Sequence, residues 1–214
     1  IPYLAFVLFK IPLPLTIIQI LAVDLGTDML PALGLGVEKP DPRIMQRPPR
    51  PRQERLLNVP LILRAYLFLG MLEAAAAMAA FFYVLQSAGW QYGQMLPHDD
   101  PLYIQATTAC LSAIIVMQVV NVFLCRSDRD SAFSSSFFSN KLLLWGIAAE
   151  IFLILLVDYT PWGNLIFGAA PIASEVWLFI SPFALGMLAL EELRKWVVRR
   201  GLSSRFFMRK QKNQ

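Results

Sequence analysis

The chain has 214 residues, 57% of them hydrophobic and only 16% charged, with a mean hydropathy of +0.53. Soluble domains carry about 25% charged residues, so this composition excludes an ordinary soluble domain and points to a membrane protein. The net charge of +4 is not accompanied by a nucleic-acid-binding motif or by aromatic interleaving, so no nucleic-acid partner is expected.

The chain opens on "IPYLAFVLFK", with no initiator Met and no basic signal-peptide region, and reads as a piece of something longer. Residues 1–9 are a half-length apolar run, stopped by Pro12 and Pro14. Five runs of roughly 20 residues then predict membrane spans, at 14–36, 60–86, 102–125, 141–158 and 173–196. The connector 37–59 holds Pro40, Pro42, Pro48, Pro49 and Pro51, which predicts an extended, stiff segment. Residues 87–101 and 159–172 read as loops, and 197–214 as a basic tail. The fold class is all-α: a polytopic transmembrane helix bundle.

Charge alternates along the connectors. Seventeen of the 19 basic residues fall in 37–59, 126–141 and 194–214, while 87–101 and 159–172 hold none. By the positive-inside pattern, loop 37–59 and the C-terminus face the cytoplasm. Trp90, Tyr92, Tyr103, Tyr159, Trp162 and Trp177 gather at the opposite ends of the spans, as an aromatic belt does. The lipid bilayer is thus a predicted partner. Cys110 and Cys125 share one predicted helix, about 22 Å apart by the helical rise, too far to bridge. The single histidine, His98, sits in a polar loop, so no Cys/His metal site is readable.

Ionisable groups at membrane depth are costly and mark function by default. Asp24, Thr27 and Asp28 in "VDLGTDMLPALGLG" are spaced i, i+3, i+4, which places them on one helical face. Gly26 and Pro31 lie in the same run. Pro31 cannot donate to the Thr27 carbonyl and clashes with it, so the helix is expected to unwind locally and free carbonyls for a cation. Carboxylates, a hydroxyl and carbonyls are hard ligands suited to sodium, potassium, calcium or protons. Asp24 and Asp28 are the candidate metal ligands. Gln118 and Asn121 supply amide oxygens to the same site or serve as interhelical hydrogen-bond glue. Glu150, mid-span, is expected to face the bundle interior. Glu73 reads instead as a group hydrogen-bonded within close small-residue packing. Asp158 and Glu175 read as solvated span ends, and Glu191 with Lys195 as an i, i+4 pair at the aqueous boundary.

On these residues the chain resembles the C-terminal membrane half of type II P-type cation ATPases. "VDLGTDMLPALGLG" is similar to their sixth transmembrane helix, with the Asp-Leu-Gly-Thr-Asp core of the sodium/potassium and proton/potassium pump branch. "IPLPL", "DPRIMQRPPRPRQERLLN", "VMQVVN", "NKLLLWGIAAE" and "EELRKWVVRR" resemble, in order, the preceding turn, the following loop and helices eight, nine and ten. The resemblance implies the end of helix five at 1–9 and helices six to ten after it. It implies that Asp24, Thr27 and Asp28 bind the transported cations, with Gln118 and Glu150 near an additional sodium site. Asn121 and Ala149 stand where that branch has carboxylates. Calcium pumps have Asn at the position of Asp24, which favours a monovalent cation.

The family's Asp-Lys-Thr-Gly-Thr phosphorylation motif and its Thr-Gly-Glu motif do not occur in these 214 residues. The resemblance therefore implies part of an ATP-hydrolysing translocase with no catalytic residue of its own here. Mg and ATP would act only through N-terminal and cytoplasmic domains elsewhere in the protein. The expected location is the plasma membrane, and no accessory subunit is identified. Two other readings use the same residues: a secondary transporter or channel segment with a broken helix, and a membrane scaffold that transports nothing.

Overall fold

The structure, a computed structural model, describes residues 2–9, 11–40, 45, 57–94, 96–127, 130–133 and 138–211, with side chains through residue 200. Helix α1 (Pro2–Phe9) precedes five helical rods. The first combines α2 (Ile17–Leu21), a π-helical stretch (Ala22–Thr27) and α3 (Met29–Gly36). The second combines α4 (Val59–Ile62), a π-helical stretch (Leu63–Leu69) and α5 (Gly70–Ser87). Then come α6 (Pro101–Cys125), α7 (Lys141–Tyr159), the short α8 (Pro161–Phe167) and α9 (Ser174–Gln211). Five segments are long and apolar enough to cross a bilayer: Ile17–Gly36, Val59–Ser87, Pro101–Cys125, Lys141–Tyr159 and Ser174–Arg200. The chain is an all-helical, multi-pass membrane protein. No strand occurs among the described residues.

The helix starts follow from local chemistry. Each rod before α9 begins at a residue whose side chain satisfies an orphan backbone N–H. Thr16 accepts from Gln19 N while the Gln19 side chain accepts from Thr16 N, a reciprocal box. Asn58 accepts from Leu61 N, Asp100 from Leu102 N and Asn140 from Leu143 N, at 2.8–3.0 Å. Pro60 and Pro101 follow within the first turn, where a missing N–H costs nothing.

Small residues then let the rods approach. The buried Ala77 and Ala80 of α5 cluster with Ala106, Ala109, Cys110 and Ala113 of α6, so packing rather than hydrophobic transfer joins these two spans. Helix α3 crosses α7 at Gly34 and Gly146. A Cβ at Gly34 would lie 2.8 Å from Leu143 Cα, and one at Gly146 would lie 3.1 Å from the Leu30 carbonyl carbon.

Two loop expectations change. The segment 159–172 is not all loop, because α8 starts at the Thr160 cap and Pro161 and stops at left-handed Gly168 (φ 58°). The helix α9 continues past the expected end of its span at 196 through Gln211. The stiff-connector reading of 37–59 falls mostly on residues 41–44 and 46–56, and Lys10 also lies outside the described residues.

At the end of the bundle where the basic residues gather, the basic end, two charged clusters tie the rods together. Arg126 Nη2 donates to Glu38 Oε1 (2.8 Å), and Asn140 Nδ2 donates to Glu38 Oε2 (2.9 Å) and Gly34 O (2.8 Å). The Arg126 hydrogen bond holds the Glu38 carboxyl below the usual range. Partial burial opposes this, and Asn140 assists it. The second cluster corrects the expected solvated Glu191–Lys195 pair. Glu191 is fully buried and accepts from Arg64 Nη2 (2.6 Å) and Arg194 Nη2 (2.6 Å). Lys195, also fully buried, donates to Leu124 O (3.0 Å). The α6 C-terminus, with its open carbonyls and negative dipole end, draws the lysine away from its helical neighbour.

Candidate functional site

The first rod does not unwind at Gly26 and Pro31 as expected. It widens instead. Asp28 N donates to Val23 O at 3.0 Å, an i→i−5 bond, and Ala22–Thr27 form the π stretch. Pro31 sits buried in the first turn of α3, where its missing N–H falls among the orphan positions. Gly26 packs against Leu153 of α7. Single π turns inside α-helices recur at functional sites.

The widening changes which way the acids face. Thr27 is buried and its hydroxyl donates to Val23 O (3.0 Å), which leaves its lone pairs as possible ligands. Asp24 and Asp28 are exposed. The three residues predicted on one face thus divide, one inward and two outward. Asp28 lies within Coulombic reach of Asp24, Glu73 and Glu150.

Glu150 is 1% exposed, and both of its carboxyl oxygens lack a hydrogen-bond partner. It faces the bundle interior and lies within Coulombic reach of both Asp28 and Glu73. Glu73 corrects an expectation: it is not hydrogen-bonded within the small-residue packing. It lines a cavity of about 310 Å³ with Pro2, Tyr66, Gly70, Ala77 and Ile114. Asp24, Asp28, Glu73 and Glu150 make no hydrogen bond or ion pair among the described residues. Gln118 keeps a buried Oε1 without a partner, whereas Asn121 Oδ1 accepts from Cys125 Sγ at 3.3 Å. No three His, Cys, Asp or Glu residues close on one metal-sized point among the described residues. Any cation held here needs ligands from beyond this group.

Asp158 also departs from expectation. It is fully buried, because α8 folds back over the end of α7. Gly163 makes this possible, since a Cβ there would lie 2.3 Å from Leu156 O. Sequence reasoning also missed Gln19. It is fully buried and donates through Nε2 to Thr107 Oγ1 (3.3 Å) and Gly168 O (3.4 Å). The signal was present as Thr107, Thr108 and Ser112, three hydroxyls close together in a membrane-spanning helix.

The family model described as "Cation transporting ATPase, C-terminus" matches residues 12–197. The chain belongs to this family. Among its relatives, the sodium/potassium-transporting ATPase subunit alpha-2 of Gallus gallus is 31% identical over 93% of this chain and 22% of its own length. The alpha-1 subunit of Catostomus commersonii and the alpha-3 subunit of Homo sapiens are likewise 31% identical over the same shares. The chain spans about a fifth of the length of these curated relatives.

Proposed function

We propose that this chain is the C-terminal membrane part of an ATP-driven cation pump and forms one side of its intramembrane cation site. The observation that carries the reading is Glu150: a buried carboxylate beside two further acids, with neither a hydrogen-bond partner nor a counter-charge among the described residues. Uncompensated carboxylates at membrane depth are expensive, and a transported cation supplies the missing charge. Asp24 and Asp28 contribute carboxylates from the open face, and Thr27 contributes a hydroxyl. Gln118 supplies an amide oxygen, and Glu73 joins as a further acid. Asn121 stands at the margin, its oxygen already engaged. A monovalent cation is favoured over calcium, since Asp24 replaces the Asn of calcium pumps. The relatives' names, sodium/potassium-transporting, support the same choice.

The cargo ion binds more tightly to one conformation than to another, since only differential affinity drives a cycle. The π stretch is the element that repositions Asp24 relative to Asp28. Mg and ATP are engaged by domains outside this chain. The basic end faces the cytoplasm by the positive-inside pattern, and the location is the plasma membrane. The test is Asp28→Asn in the full-length protein, with ATPase activity measured against a panel of cations. A loss of at least about tenfold in apparent affinity for the stimulating ion is expected, and an unchanged ion response refutes the assignment. Uphill transport with no ATP consumption would favour the secondary-transporter reading.

A further inference from the structure

The half of the bundle nearest the aromatic residues contains a second buried acid, remote from any role in the cation site. Asp158, in the last turn of α7, is 0% exposed. Its Oδ2 lies 2.8 Å from Ser112 Oγ, and its Oδ1 has no hydrogen-bond partner among the described residues. Ser112 Oγ also lies 2.9 Å from Thr108 O.

These two contacts together are informative, because a serine hydroxyl has one hydrogen to donate. The backbone carbonyl of Thr108 can only accept. If Ser112 gives its hydrogen to that carbonyl, the short contact to Asp158 is satisfied only when Asp158 itself donates. Both contacts are full two-centre hydrogen bonds at once only if the hydrogen between Asp158 and Ser112 belongs to the acid.

No ion pair to Asp158 occurs among the described residues, where Ser112 is its one side-chain hydrogen-bond partner. On the elements around it the sequence places the titratable residues Tyr159 on its own helix, Cys110 and Tyr103 on α6, and exposed Glu175 at the start of α9. The helices α2 and α8 bring none. Tyr159 OH is occupied, donating to Ile172 O (3.0 Å) and accepting from Trp177 Nε1 (2.7 Å). An unpaired carbonyl oxygen of a neutral acid costs far less in an apolar interior than an unpaired oxygen of an ionised one.

We propose that Asp158 is a proton-binding site, with its acid hydrogen on Oδ2 directed at Ser112 Oγ. Its ligand is a proton from the aqueous phase at the aromatic end. Polar groups lead in that direction: Thr108 Oγ1 accepts from Ala170 N (3.0 Å), which lies in the connection between α8 and α9. Loss of the proton leaves Oδ2 as an acceptor. Ser112 then answers by a single rotation that moves its hydrogen from Thr108 O to Asp158. The inference does not depend on the pump reading.

Infrared difference spectroscopy of the full-length protein in phosphatidylcholine vesicles at neutral pH tests it. Asp158→Asn preserves the geometry, since its amide donates to Ser112 in place of the acid. The expected result is a carboxylic-acid C=O band that shifts in D2O, is lost in Asp158→Asn and is displaced in Ser112→Ala. Ser112→Ala decides alone if the first variant does not fold. A wild-type spectrum without such a band overturns the proposal. So does a band kept at full strength in Asp158→Asn, or one that Ser112→Ala leaves in place.

Discussion

Glu191 and Glu150 are equally hidden, yet their surroundings are opposite. Two guanidinium groups grip Glu191, and among the described residues no hydrogen-bond partner reaches either oxygen of Glu150. Removing a partner from a buried charge pair leaves a stranded ion, which is strongly destabilising. A carboxylate that begins without a partner has nothing comparable to lose. Burial therefore does not separate structural charge from functional charge in this bundle, whereas pairing does.

The sharpest way to break the comparison is Glu191→Ala, which removes the buried carboxylate that Arg64 and Arg194 share. Its expected cost is about 3–5 kcal/mol, read as thermal midpoint in the solubilised full-length protein. A neutral outcome would make the basic-end cluster ornamental. Next in size is Gly34→Ala, which drives a Cβ into the Leu143 backbone and should cost about 1–3 kcal/mol. Because α3 carries the chain from Asp28 past α7, the same variant should weaken cation affinity, and a stable protein with intact affinity would show that spacing is irrelevant.

Glu150→Gln is the counterpart of Glu191→Ala. Stability should hold within about 1 kcal/mol, while the cation concentration for half-maximal ATPase activity rises at least about tenfold, or 1.4 kcal/mol. If this variant melts as Glu191→Ala does, the contrast collapses. The smallest effect belongs to Glu38. Its folded carboxyl lies below its unfolded range through the Arg126 hydrogen bond. Its contribution is therefore complete above the ordinary glutamate range and disappears as pH falls through the folded value. Glu38→Gln should flatten that acid-side slope by under about 1 kcal/mol, since the pair is partly solvated. Melting curves across acidic pH would show it.

The spans were legible because bilayer thickness imposes one apolar length. Glu150 was legible as an inward-facing acid, since a lone charge among leucines has nowhere cheaper to point. The widened turn at Ala22–Thr27 was not: Gly26 and Pro31 signal a disturbed helix but not whether it opens or expands. Glu73 was misread because alanine neighbours predict close packing, whereas its outward side meets a cavity. Asp158 and Lys195 were misplaced for one reason. Both lie at helix ends that look aqueous in one dimension, and each is covered by another segment: α8, turning back over α7 immediately after Asp158, and the carbonyl end of α6, far back in the sequence at Leu124.

The two π stretches have a consequence for sequence length. A π turn is an α-helix with one residue too many, so it can absorb a deletion that an ordinary helix could not. Removing one residue from Ala22–Thr27 would let that stretch relax to α geometry while keeping the rod whole. A deletion between Asp24 and Asp28 would leave the two acids three residues apart, about 300° around an α-helix. A one-residue gap there would therefore not be a frame error in the fold but a different setting of it, with the two acids presented to different neighbours.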